Sequence, residues 1–291
     1  MIDFLTVAYN EKRPAILPRL DGQPKWVRKK GASISTLTVH DPFLRDIKLI
    51  VEQLRNPLLM ELELSVDFWP KEVVPEGERD QFLRDTYVAL AARFRPEDMT
   101  PWGYGLRGSV TGERQKPLPF HRSLPSAGRQ LLYGHKGDFL QSKLYLKRVD
   151  QKLLLPPSEH RVRLELRMRR WALMDHFRLD RLSDLLGYSY RKTFTKHFRI
   201  VAGPRLRLNR PLDDKEKRKR EKRMHRAWAT AGVGKFAVAP DLPPDTPILN
   251  VKKIRSRSRQ QLSQDQYVLV RHQAANEKIG LAFKTLERRL R

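Results

Sequence analysis

The chain has no cysteine among its 291 residues. That excludes disulfides, thiolate zinc sites and a cysteine nucleophile, and it fits a reducing compartment. No stretch approaches the roughly 18–20 consecutive apolar residues that a membrane span needs. The opening MIDFLTVAYNEK lacks the basic and apolar regions of a secretory signal. No Walker loop, G-x-S-x-G or G-x-G-x-x-G occurs, so nucleotide hydrolysis and serine hydrolase chemistry have no support. None of the 8 histidines forms a His-x-His pair, so the paired-imidazole metal motif is missing too. Together these absences predict a cytoplasmic protein with no membrane partner.

Acidic residues are scarce in one part of the chain only. Residues 1–100 hold 15 Lys and Arg against 16 Asp and Glu, whereas residues 101–291 hold 44 against 17. The whole formal charge of +26 therefore lies beyond residue 100. A field of that sign and placement favours a polyanion, and nucleic acid gains further from counterion release.

Periodicity then orders the elements. WVRKKGASISTLTVH (26–40) reads as a strand or hairpin, and FLRDIKLIVEQLR (43–55) as an amphipathic helix ended by Asn56-Pro57. MELELSVDF (60–68) reads as a strand. Residues 76–95 read as a second helix, with Phe82, Val88 and Phe94 among its apolar positions. QLLYGHKGDFLQSKLYLKRVD (130–150) reads as a hairpin turning near Gly134 to Asp138, and HRVRLELRM (160–168) as a further strand. The order predicts an α+β fold: an antiparallel sheet with helices packed on one face, followed by a helical, basic C-terminal region. The expected division is a domain at 1–205 and a basic, partly flexible tail at 206–291 ending in a helix. PLDDKEKRKREKR (211–223) reads as a solvated charge run.

Three of these strands share a design. Alternate residues of a strand lie on one face. MELELSVDF places Glu61, Glu63, Ser65 and Asp67 opposite Leu62, Leu64, Val66 and Phe68. SKLYLK places Lys143, Tyr145 and Lys147 opposite Leu144 and Leu146. HRVRLELRM places Arg161, Arg163, Glu165 and Arg167 opposite Val162, Leu164, Leu166 and Met168. In one sheet they would gather acids, a tyrosine and cations on the face turned away from the core. Glu63, Asp67 and Glu165 offer hard oxygen ligands suited to Mg²⁺ or Mn²⁺, and such an ion polarises a phosphodiester. Tyr145, flanked by lysines, could act as a nucleophile toward phosphate; Tyr133, Tyr104 and Tyr87 are alternatives. The bland reading of the same face is a solvated sheet whose charges pair across strands for tenths of a kcal/mol each.

These stretches resemble, in order and rough spacing, the rolling-circle replication initiators of small plasmids, the replication initiation factor family. The likeness rests on Glu63-Leu-Ser-Val-Asp67-Phe68, on Tyr133-Gly134 followed by Lys143-Leu-Tyr145-Leu-Lys147, and on Arg163-Leu-Glu165-Leu. It covers roughly residues 30–200 and is similar in outline to the replication endonucleases of filamentous phages. The resemblance implies a bacterial enzyme that nicks and rejoins DNA at a plasmid or phage origin. Tyr145 would attack, Glu63, Asp67 and Glu165 would hold Mg²⁺ or Mn²⁺, and Lys143, Lys147, Arg161 and Arg163 would hold phosphate. Host replication proteins would be its partners.

LSDLLGYSYRKTFTKHF (182–198) reads as helix, glycine turn, helix, and resembles the second helix-turn-helix of AraC-type regulators. Its second helix would present Arg191, Lys192 and Lys196 to DNA. That supports origin recognition by the enzyme. It also supports a different class of function, a non-catalytic DNA-binding regulator using the helix-turn-helix at 180–200.

Overall fold

The computed structural model describes residues 1–10, 16–28, 32–70, 74–94, 96, 101–106, 129–134, 138–150, 153–207, 213–219, 248–250 and 266–291. The strands are β1 (Ile2–Tyr9), β2 (Gln23–Arg28), β3 (Ser35–His40), β4 (Leu58–Phe68), β5 (Pro101–Leu106), β6 (Arg129–Tyr133), β7 (Leu140–Lys147), β8 (Val149–Asp150), β9 (Leu153–Leu154), β10 (Arg161–Arg169), β11 (Val201–Arg207), β12 (Ile248–Asn250) and β13 (Gln266–Arg271). Eight of them form one sheet in the order β2-β3-β1-β4-β10-β7-β6-β5, antiparallel throughout. A second sheet has the order β11-β13-β12. The helices are α1 (Leu44–Gln53), α2 (Glu76–Arg93), α3 (Arg170–Asp175), α4 (Tyr190–Phe194) and α5 (Gln273–Arg289). The fold is α+β, as the order of elements predicts.

The core forms where the apolar faces of the long strands meet helices. Leu62 and Leu64 of β4, Leu144 and Leu146 of β7, and Val162, Leu164, Leu166 and Met168 of β10 all enter it. Burying each such side chain stabilises by about 1.5–3 kcal/mol. From α2 the buried stripe is Leu83, Tyr87 and Ala91, with Phe94 just beyond the helix. This is the i, i+4, i+8, i+11 face of a helix. Phe82, expected among the apolar positions, lies one step off that stripe and is 40% exposed.

Turn chemistry fixes the connections. Asp46 accepts backbone N–H bonds from Asp21 (2.7 Å), Gly22 (3.0 Å) and Phe43 (2.9 Å), which starts α1 and ties it to the chain before β2. Asn56, at φ 49°, turns the chain out of that helix. Gly134 has φ 73°, and a Cβ there would lie 2.4 Å from the Leu140 carbonyl oxygen, so the β6–β7 turn requires glycine.

The C-terminal helix belongs to the packed structure. Ile279, Phe283, Leu286 and Leu290 join the core, and Phe283 meets Phe194 and Phe198. Asn276 reaches back to Ile200, accepting from its N–H (3.1 Å) and donating to its carbonyl (2.6 Å). Strands β11 and β13 pair across the expected boundary at residue 205. Of the charge run, residues 214–219 form a short helix. Among the described residues no helix is long and apolar enough to cross a membrane.

Candidate active site

Strand register decides which polar residues meet. On the face away from the core, β10 aligns Arg163 with Asp67, Glu165 with Ser65 and Arg167 with Glu63 of β4. On its other side β10 aligns Arg161 with Lys147, Arg163 with Tyr145 and Glu165 with Lys143 of β7. The three stretches singled out above are thus adjacent strands, with β10 in the middle. A bulge between Ile2 and Phe4 shifts the pairing of β1 with β4 at Asp3. Bulges re-aim side chains, and the Asp3 carboxylate joins the acids of the polar face.

Two clusters result. In the first, carboxylate oxygens of Asp3, Glu63 and Glu165 all lie within 4.8 Å of one another. The Tyr145 hydroxyl donates to Glu165 Oε1. Lys143 Nζ stands 3.5 Å from Glu165 Oε2 and 3.7 Å from Glu63 Oε2. Glu63, Glu165 and Tyr145 are buried, while the Lys143 side chain keeps 22% of its exposure. In the second, the Arg163 guanidinium grips Asp67 in a fork, Nε to Oδ1 at 2.6 Å and Nη2 to Oδ2 at 2.8 Å, and its Nη1 donates to Asp3. Arg161 adds an ion pair to Asp67 at 3.1 Å.

The electrostatics of the clusters differ in sign. Burial first, and then the charge of Glu165, push the Glu63 carboxyl up to about 8, against the opposing pull of Lys143. Burial also acts to raise Asp67, but the hydrogen bonds and charge of Arg163 outweigh it and leave that carboxyl below its ordinary range.

The first cluster fits a hard divalent cation. Its donors are carboxylate oxygens, the type Mg²⁺ and Mn²⁺ take. Its three carboxylates face Lys143, with Arg163 shared between Asp3 and Asp67 and Arg167 between Glu61 and the cluster. Beside it the Ser65 hydroxyl is fully buried and has no hydrogen-bond partner.

Of the residues singled out from sequence, Glu63, Glu165, Tyr145 and Lys143 converge. Asp67 stands with Arg163 and Arg161, and Asp3 takes the third place among the acids. Arg163 is 1% exposed, with its nitrogens committed to Asp67 and Asp3. Lys147 is buried and paired with Asp150 at 3.1 Å. Tyr87 and Tyr133 lie in the apolar core, where the Tyr133 hydroxyl donates to the Phe94 carbonyl at 2.8 Å; the side chain of Tyr104 lies outside the described residues.

Segment 182–198 folds as a 3₁₀ turn (Leu182–Leu185), Gly187 at φ 75°, the five-residue α4 and a second 3₁₀ turn (Thr195–Phe198). Its aromatic residues pack on Phe177 and α5, and the Arg191 backbone N–H bonds Glu287 at 2.7 Å. Lys192 and Lys196 are exposed and line a cleft with His176, Arg178, Tyr188 and Thr193.

Asp3 was not visible as a site residue in the sequence. The available signal was the run IDFLTVAY, apolar and rich in strand formers, with one acid at its start.

No protein-family profile matches the chain, and no curated protein sequence does. Among solved structures, a rolling circle replication initiator protein from Geobacillus stearothermophilus aligns with 75% of this chain and 90% of its own, at 14% identity and a TM-score of 0.32. What the site can do rests on its side chains.

Proposed function

We propose that the chain is a DNA-binding replication initiator that nicks and rejoins DNA, with Tyr145 as nucleophile. One observation carries the reading: a buried tyrosine hydroxyl donates to one member of a three-acid cluster, with a lysine beside it, in a protein whose excess charge is positive. Glu165 takes the proton of the Tyr145 hydroxyl as the phenolic oxygen attacks phosphorus. A bond forms between that oxygen and phosphorus, and the bond from phosphorus to the 3′-oxygen breaks. The 3′-oxygen takes a proton from water. The products are a 5′-phosphotyrosine link and a free 3′-hydroxyl, which conserve the phosphodiester energy for rejoining. Lys143, the most exposed of the group, meets the phosphate as it enters and offsets its charge. A divalent cation held by Asp3, Glu63 and Glu165 supplies Lewis-acid polarisation of the phosphodiester when bound. Arg163 and Asp67 brace the strands around the site.

The test is cleavage of labelled single-stranded and supercoiled DNA with Mg²⁺ or Mn²⁺, resolved on a denaturing gel before and after protease treatment. The expected result is a protein-linked DNA band that Tyr145→Phe abolishes while binding persists. Salt-sensitive binding with no cleavage on any substrate would overturn it in favour of a DNA-binding regulator. The observation that favours this second reading is the burial of Tyr145, which is 7% exposed.

A further inference from the structure

Ser65 lies at the centre of the polar face and has no assigned work. It sits on β4 between Glu63 and Asp67, and β10 aligns it with Glu165. Its backbone is fully used: its N–H donates to the Met1 carbonyl at 2.9 Å, and its carbonyl accepts from the Met1 amine at 2.7 Å. The side chain is different. The residue is 1% exposed, and its Oγ has no partner. A buried hydroxyl left without a partner is destabilising, and native interiors rarely keep one without a reason. An alanine here would remove that cost without disturbing the strand.

The surroundings narrow the reason. Acids of the cluster flank Ser65, yet its hydroxyl donates to none of them. Asp67, two residues on, is committed to Arg163 and Arg161. The oxygen therefore keeps its lone pairs open beside a set of hard oxygen donors. A neutral oxygen completes such a set without adding charge, and hard divalent cations take six or more oxygens.

We infer that Ser65 Oγ is the fourth protein oxygen of the cation site formed by Asp3, Glu63 and Glu165. The inference rests on the reading of that cluster as a metal site.

Cation affinity, measured on the full chain without DNA, tests it. Mn²⁺ binding is followed by electron paramagnetic resonance and Mg²⁺ and Cd²⁺ binding by calorimetry, with circular dichroism melts to establish that each variant folds. Ser65→Ala should weaken Mn²⁺ and Mg²⁺ binding about tenfold or more, the scale on which lost site partners act. Ser65→Thr keeps the hydroxyl and should stay within about threefold of the wild type. Ser65→Cys should lose Mg²⁺ affinity and gain Cd²⁺ affinity, because sulfur prefers the softer ion. A serine that only packs, or that touches the ion through water, would not invert that preference. If the wild type binds Mn²⁺ and the alanine and cysteine variants bind all three ions as it does, the role of Ser65 is wrong and the acid site stands. If the wild type binds no Mn²⁺, the metal reading fails and takes this inference with it.

Discussion

Two charge clusters occupy one face of one sheet, a single residue pair apart, and they resolve in opposite ways. Around Asp67 every acid meets a guanidinium: Arg163 forks onto it, Arg161 joins, and Arg163 extends to Asp3. Around Glu63 and Glu165 the acids gather faster than cations do. Lys143 stands against both of them, at 3.7 and 3.5 Å, and the charge of Arg167, whose ion pair is with Glu61, also acts on both. The first arrangement is complete as it stands and holds three strands together. In the second, burial and like charge work against the ionised Glu63 carboxyl, and a proton or a cation supplied from outside relieves them. Balance marks structure and imbalance marks function, since buried like charges are retained where chemistry needs them.

Breaking the balanced cluster should have the largest effect. Arg163→Ala leaves Asp67 buried beside Arg161 alone and frees Asp3. Removing one partner of a buried ion pair typically costs about 3–5 kcal/mol, so a loss of that order is expected in urea unfolding. A loss below about 1 kcal/mol would mean that Arg163 braces nothing.

The unbalanced cluster should instead reveal itself through pH. The folded Glu63 carboxyl lies at about 8, above its ordinary 4.5. Between those values the folded state holds a proton that the unfolded chain has released. Its contribution is therefore whole below about pH 4.5 and is lost as pH rises toward 8. Without divalent metal, stability should fall across that window by an amount on the order of a few kcal/mol, and Glu63→Gln should flatten the fall. A wild-type profile that is flat or rising from pH 5 to 8 would sink the assignment.

Added cation should reverse that slope. Mn²⁺ at a hundred times its dissociation constant stabilises by about 2.7 kcal/mol if it binds only the folded state. The gain should grow with pH, because the ion displaces a proton. It should vanish in Asp3→Asn and persist in Asp67→Asn, provided that variant folds. The opposite outcome would return the third ligand to Asp67, where the sequence pattern first put it.

That exchange shows what the sequence could and could not carry. The polar faces of β4, β7 and β10 were legible because alternation depends on one strand at a time, and each of these runs unbroken. Which acids meet depends on register between strands, and register is written in no single segment. Asp67 and Glu63 share a face in any register, but only the observed one sets Asp67 opposite Arg163. Strand β1 was illegible for a related reason. Register shifts between Ile2 and Phe4 and between Thr6 and Val7 break its alternation, and the first is what brings Asp3 to the site. In segment 182–198 the glycine turn and the buried aromatics were legible, but the two helices expected around that turn are instead 3₁₀ turns and a five-residue helix. Its packing partner lies far along the chain in α5, and tertiary contact overrides local preference.

The smallest expected effect separates the sheet site from the surface of segment 190–198. Lys192 and Lys196 are exposed and line a cleft with Arg178 and His176 that none of the three clustered acids lines. If they hold backbone phosphates, each contact should contribute about 0.7 to the slope of log affinity against log salt for a single strand. The double variant Lys192→Gln/Lys196→Gln should lower that slope by about 1.4 and leave the metal affinity and the pH profile of stability where they were. Cleavage at saturating DNA should be unchanged as well, because neither lysine is among the partners of Tyr145 and the acids. A lost salt slope with intact chemistry assigns this region to holding DNA and the sheet face to reacting with it. An unchanged slope would leave the aromatic packing against α5 as the whole role of the segment, and would move the phosphate contacts to other cations in the basic part of the chain.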